Sequence, residues 1–156
     1  MITRVRHRGE QGRGWRWSNI PVPEGHVALF TLGLCLERQR PWPLRLPAGR
    51  CIGGALVLSG AVVVLWSTGA AGIVDLAAPA QLVTSGPYRL SRHPMYVGWS
   101  LGYVGAALVV ATAWPVLLSL PLAAWTLREV RREESSLAGV FGAQYQCYRR
   151  SVRLLA

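Results

Sequence analysis

Residues 51–74 read CIGGALVLSGAVVVLWSTGAAGIV and carry no ionisable side chain apart from the thiol of Cys51. A second uncharged run, MYVGWSLGYVGAALVVATAWPVLLSLPLAAWTL, covers residues 95–127. A soluble core helix needs no run of this length, whereas a hydrocarbon layer about 30 Å thick does. The first run therefore predicts a membrane-spanning helix at about 51–72. The second is too long for one straight span at about 1.5 Å per residue. Ala113-Trp114-Pro115 divides it, because Pro115 suits the first turn of a helix and disfavours helix just before it. Two helices result, at about 94–112 and 115–132, joined in a tight hairpin, the second kinked or thinned near Pro121. Gly98, Gly102 and Gly105 mark one side of the first, a pattern that permits close helix approach in lipid, within one chain or between two.

Working outward, residues 24–37 form a further apolar helix, short for a span and in need of tilt or local thinning. Three prolines and four arginines punctuate the connector 37–50, and residues 75–94 are too rich in breakers to be helical throughout. Beyond residue 127 the chain becomes charged and amphipathic. Leu127, Val130, Glu134, Leu137, Phe141, Tyr145, Tyr148 and Val152 share one face at steps of three and four, with a break possible at Gly139 or Gly142. The expected fold is all-α: a polytopic membrane bundle of about four transmembrane helices, with a hairpin and a C-terminal amphipathic segment reaching 152. Residues 1–20 read as a basic tail and 21–156 as a single domain.

All 17 basic residues are arginine, and the formal net charge is +10. They cluster at the ends of apolar segments, where headgroups and topology rules place them, and no nucleic-acid-binding pattern accompanies them. Four spans put the N-terminus, the loop 75–94 and the C-terminal segment on one side, with 13 arginines against 4 opposite. By the positive-inside rule that side is cytosolic. The 4 arginines on the other side pull against this topology. Cys35, Cys51 and Cys147 are scattered and odd in number, which argues for packing rather than a disulfide framework or zinc site. No metal-binding spacing occurs.

Two polar segments could carry chemistry. In Ser85-Gly86-Pro87-Tyr88-Arg89-Leu90-Ser91-Arg92-His93-Pro94-Met95-Tyr96, Pro94 suits a first helical turn and leaves His93 at the N-cap. Free backbone N–H groups beside Arg92 suit a carboxylate, and the faces of Tyr88 and Tyr96 attract a sulfonium or ammonium. The same residues would equally serve as headgroup anchors. In Arg128-Glu129-Val130-Arg131-Arg132-Glu133-Glu134, ion pairs such as Glu129 with Arg132 describe a solvated face. Glu134 resists that reading because it lies on the apolar stripe, where a carboxylate is expensive. It could pair with Arg92, bind ribose hydroxyls or face an amino group.

Leu82-Val83-Thr84-Ser85-Gly86-Pro87-Tyr88, followed by Arg92-His93-Pro94-Met95-Tyr96-Val97-Gly98-Trp99, resembles the signature of the isoprenylcysteine carboxyl methyltransferase family and its phospholipid methyltransferase relatives. Glu133-Glu134 with Leu137, Phe141-Gly142, Tyr145 and Tyr148 is similar to that family's C-terminal motif, at matching distance. The resemblance covers about residues 75–152. It implies a multi-pass membrane enzyme that uses S-adenosyl-L-methionine, held by the loop before the hairpin and the acidic start of the last helix. Carried over by position, Gln81, Leu82, Val83, Tyr88, His93, Pro94, Met95, Tyr96 and Glu133 match cofactor-contacting places, Gln81 loosely. Eukaryotic members place an arginine before the acidic pair for a substrate carboxylate. Here Glu129 stands at that position, with Arg128 and Arg131 beside it, and these three with Glu134 are the expected catalytic group.

The resemblance further implies direct methyl transfer to a lipophilic acceptor arriving from the bilayer, on a cytosol-facing site among membrane lipids, with no metal and no nucleic acid. A phospholipid or amine N-methyltransferase and a small-thiol S-methyltransferase fit the same scaffold. A sterol-type reductase or a non-catalytic membrane protein would share the helices but not the cofactor site.

Overall fold

The computed structural model describes residues 23–72, 74 and 81–154. The stretch 1–20 read above as a basic tail lies outside them. Among the described residues the chain is all-α, with helices α1 (Glu24–Gln39), α2 (Gly49–Ala71), α3 (Pro94–Val110) and α4 (Ala113–Ser151), and a 3-10 turn at Gly86–Arg89.

One of these helices, α2, is long and apolar enough to cross a membrane, while α3 is apolar but shorter. Only 28% of the apolar stretch of α2 is buried inside the protein, so it is not the core helix of a soluble fold. Ile52, Leu58, Val62, Leu65 and Trp66 stand exposed along it.

Its other side packs closely on α3, and glycines set the distance. A methyl group added at Gly60 would come within 2.5 Å of the Gly98 carbonyl oxygen, and one at Gly53 within 2.6 Å of the Gly105 carbonyl oxygen. Gly98 and Gly105 therefore meet their counterparts within the same chain. No such crowding surrounds Gly102 itself.

Helix α1 packs mainly against α4. The connector after α1 is tied to the α3–α4 turn by backbone bonds, Leu44 N–H to Ala111 O at 2.8 Å and Ala113 N–H to Trp42 O at 2.9 Å. Glu37 reinforces the join by accepting from the Trp42 N–H and the Thr112 hydroxyl. The Trp114 indole donates to the Arg40 carbonyl at 2.8 Å. These contacts put the α1–α2 connector and the hairpin turn at one end of the helices. Loop 81–93 and the chain's C-terminal segment share the other end.

The hairpin divides where Pro115 suggested, with α4 starting at Ala113 and Pro115 buried in its first turn. The backbone keeps helical angles through Pro121 and through Arg132, so the apolar and amphipathic parts belong to one helix. Helix α4 runs 39 residues, and its non-helical backbone falls at Gly142. Helical hydrogen bonds are local and indifferent to the change from apolar to charged side chains at Arg128. Pro121 lies on an exposed side of the helix, where its ring displaces no packed neighbour.

Candidate active site

The polar end of the molecule is built around the entry into α3. Gly86 adopts φ +58°, with Ala70 of α2 pressed against it. That turn carries the chain into the 3-10 segment, which buries Pro87 and Tyr88. His93 is the N-cap of α3 and Pro94 its first residue. The N–H groups of the first helical turn are left without helical partners by this start.

The far end of α4 closes over the same loop. The Arg92 N–H donates to the Arg153 carbonyl at 3.0 Å, and the Ser91 hydroxyl to the Leu154 carbonyl at 3.2 Å. The Tyr148 hydroxyl donates to the Tyr88 carbonyl at 2.6 Å. Two chain segments distant in sequence thus become one rigid wall.

Within that wall the ionisable groups converge. Arg92 is ion-paired with Glu134, both largely buried, and Glu134 also accepts from the Tyr145 hydroxyl at 3.1 Å. The His93 ring is 3% exposed and lies between the two acidic residues. Its Nδ1 is 3.5 Å from Glu133 and its Nε2 3.8 Å from Glu134. Tyr96 is its aromatic neighbour, with ring centroids 5.9 Å apart. Glu133 sits at the rim with 42% of its side chain exposed, against 13% for Glu134. Neighbours in sequence, the two carboxylates thus occupy different environments: one locked inside, the other open.

Burial, then the Glu133 carboxylate, pushes the Tyr88 hydroxyl well above its ordinary range. Burial, then Glu134, pushes Tyr145 up to about 12, with Arg92 opposing. Tyr148 is likewise pushed up to about 12 by burial and by Tyr145. All three are neutral hydrogen-bond donors at physiological pH.

Tyr88, His93, Pro94, Met95, Tyr96, Glu133 and Glu134 are therefore brought to one end of the molecule by the junction of loop, α3 and α4. Gln81, Leu82 and Val83 precede the turn in irregular backbone, Gln81 exposed and the other two half-buried. Glu129 lies on α4 one turn before Glu133, pairs with Arg132 at 2.8 Å, and shares a cavity of about 290 Å³ with Tyr96, His26, Trp99 and Trp125. Arg128 and Arg131 are exposed. Sequence reasoning did not assign Tyr145 and Tyr148 to the site, although their place on the apolar stripe with Glu134 was the signal. The backbone clasp at Arg153 and Leu154 has no signal in residue type.

The donor set suits an amino acid-bearing cofactor. Arg92 Nε and His93 Nε2 are buried without a hydrogen-bond partner among the described residues. They stand beside the free N–H groups of α3, where a carboxylate is stabilised. Glu133 at the rim offers a counter-charge for an ammonium.

A family model for phospholipid methyltransferase matches residues 49–144. The chain is similar to the Protein-S-isoprenylcysteine O-methyltransferase of Xenopus laevis, 37% identical over 73 residues, which is 46% of this chain and 25% of the relative. The human protein of the same name is 38% identical over 74 residues, 46% of this chain and 25% of the relative. Methanethiol S-methyltransferase 2 of Bradyrhizobium diazoefficiens is 38% identical over 68 residues, 44% of this chain and 26% of the relative. The match spans about a quarter of the length of these curated relatives.

Proposed function

The chain belongs to the phospholipid methyltransferase family, a family of S-adenosylmethionine-dependent methyltransferases, and on that premise we propose that it methylates a lipophilic acceptor at a membrane. The observation that carries this reading is the enclosure of His93, at the N-terminus of α3, between a locked Glu134 and an open Glu133. S-adenosylmethionine, when bound there, supplies a methyl group made electrophilic by its sulfonium.

Each residue then has a physical task. His93, Arg92 and the first-turn N–H groups of α3 hold the cofactor's carboxylate, and Glu133 holds its ammonium. The Arg92–Glu134 pair, with Tyr145, fixes the wall so that no reorganisation is needed on binding. Tyr88 and Tyr96 offer aromatic faces to the sulfonium without a competing charge. Leu82, Val83, Pro94 and Met95 supply apolar surface, and Gln81 marks the entrance. Of the expected catalytic group, Glu129 alone shares a cavity with Tyr96. It is the acceptor-side carboxylate, and Arg128 and Arg131 face headgroups.

We read the protein as a four-span membrane bundle in which α1, α3 and the first half of α4 accompany α2. Opposite ends for the connector 37–50 and the loop 81–93 support alternate crossing. The excess of arginine at the loop end supports a cytosolic side for the cofactor site.

The test is a calorimetric titration of the purified chain in nanodiscs with S-adenosylmethionine, and separately with NADPH. Binding of the former alone is expected, weakened about tenfold or more by His93→Ala and by Glu133→Ala through loss of charge-assisted bonds. Absence of S-adenosylmethionine binding by the wild type would falsify the assignment.

A further inference from the structure

Two cavities meet beside the wall around His93, and the smaller one shares Tyr96 with it. The larger, about 540 Å³, runs between α1, α2 and α3 and is lined almost wholly by apolar groups, among them Phe30, Val57, Ala61 and Val64. It lies in the size range that encloses a small organic ligand. Val27 and Leu65 on its walls are 56% and 49% exposed, so it opens sideways toward the bilayer. The smaller cavity, about 290 Å³, holds Tyr96 and Glu129. Pro23, His26 and Trp99 line both.

That junction is polar in otherwise apolar surroundings. His26 is 8% exposed, and among the described residues its one hydrogen-bond contact is Ser100 Oγ, 3.5 Å from Nε2, at the outer limit for such a bond. Its ring is held edge-on to Tyr103 at 6.1 Å. Trp99 Nε1 is buried with no hydrogen-bond partner among the described residues. A buried N–H without a partner costs about 1–3 kcal/mol, a cost that a ligand atom accepting its hydrogen would remove. Charge sorts the ligands that fit. Among the described residues the smaller cavity is lined by two carboxylates, Glu24 and Glu129, and by no arginine. An anionic head would meet these two like charges there, although Arg132 partly offsets Glu129 from outside.

We propose that His26 and Trp99 form the head-group site of an acceptor channel that takes a single-chain amphiphile with a protic, non-anionic head, its chain lying in the α1–α2–α3 groove. The proposal rests on the methyl-transfer reading for the purpose of the channel, but not for its occupancy. The Trp99 N–H donates to the head, the His26 imidazole accepts from it, and the apolar groove removes the chain from lipid. Tyr96 lines this head site on one side and neighbours His93 on the other, so the acceptor head lies beside the proposed cofactor site.

The experiment is photo-crosslinking of the detergent-solubilised chain with two long-chain alkyl diazirine probes, one ending in a hydroxyl and one in a carboxylate, mapped by mass spectrometry. The hydroxyl probe should label residues of the groove about tenfold more than the carboxylate probe. His26→Ala and Trp99→Phe should each lower that labelling about fivefold, the loss of one buried hydrogen bond. Each variant's S-adenosylmethionine affinity, measured in parallel, should remain that of the wild type. Equal or stronger labelling by the carboxylate probe overturns the proposal, as does unchanged labelling in Trp99→Phe, whose ring keeps the packing if His26→Ala misfolds. Labelling by the hydroxyl probe of a wild type that does not bind S-adenosylmethionine would leave the channel standing and sink the methyl-transfer reading instead.

Discussion

Tyr148 and Tyr88, 60 residues apart, are joined by a 2.6 Å hydrogen bond from the Tyr148 hydroxyl to the Tyr88 backbone carbonyl. Both side chains are buried, so water cannot replace the bond when it is lost. Together with the Arg92–Arg153 and Ser91–Leu154 contacts, it makes the last turns of α4 part of the loop that leads into α3. The wall around His93, proposed above to hold the cofactor, is therefore only as ordered as the last turns of α4 and residues 152–154.

Tyr148→Phe should destabilise the protein by about 1–2 kcal/mol, the cost of leaving a buried carbonyl without its donor. Thermal unfolding in detergent measures it. S-adenosylmethionine affinity should fall with it, because Tyr88 loses its anchor. A melting temperature and affinity both equal to those of the wild type would mean that the clasp has no part in the site.

The Arg92–Glu134 pair should behave as a buried ion pair. Arg92→Ala alone strands a carboxylate whose side chain is 13% exposed and should cost about 3–5 kcal/mol. Arg92→Ala with Glu134→Ala removes both charges and should cost clearly less than the sum of the single changes. Equilibrium unfolding of the three variants completes the cycle. Strict additivity would show that the two side chains do not interact in solution.

Much of this arrangement is legible in residue type, and the exceptions share one physical character. The uncharged run at 51–74 announces α2, and Pro115 announces the hairpin, because charge and ring geometry are properties of single residues. Glu134 stood out as a carboxylate on an apolar stripe, and Arg92 is the partner that explains it. The continuity of α4 through Arg128 was not legible, since the change of composition there resembles a boundary while the helical backbone continues to the bend at Gly142. The clasp at Arg153 and Leu154 was hidden because it uses backbone carbonyls, which every residue carries. The acceptor channel was hidden because Pro23, His26 and Trp99 come together only when α1 packs beside α3.

Alkaline titration offers a separate check. Tyr145 and Tyr148 ionise near 12 in the folded protein, against about 10 when unfolded. A raised folded value means that the neutral form is favoured by folding. The associated stability is fully present below about pH 10 and is lost as pH rises through about 12. Phenolate absorbance should accordingly develop in a late step coincident with unfolding, and Tyr145→Phe should remove part of it. Full ionisation of all tyrosines near pH 10 in a still-folded protein would contradict the buried hydrogen-bonded arrangement.

Gly139 and Gly142 lie one turn apart on α4 and should respond to alanine with opposite sign. A side chain at either meets nothing within 4 Å, so packing cannot distinguish them and the backbone alone decides. Gly139 lies within regular helix, where alanine is favoured by up to about 1 kcal/mol. Gly142 holds φ +49°, ψ −121°, a conformation that an L side chain adopts only at a cost of about 1–3 kcal/mol. That bend precedes the segment carrying Tyr145 and Tyr148, which then reaches back over the α3 entry. Gly139→Ala should raise the melting temperature and leave cofactor affinity unchanged. Gly142→Ala should lower both, and limited proteolysis should cut its C-terminal segment sooner than that of the wild type. If the two variants shift stability in the same direction, residues 143–151 need no bend to reach the loop, and the clasp forms by another route.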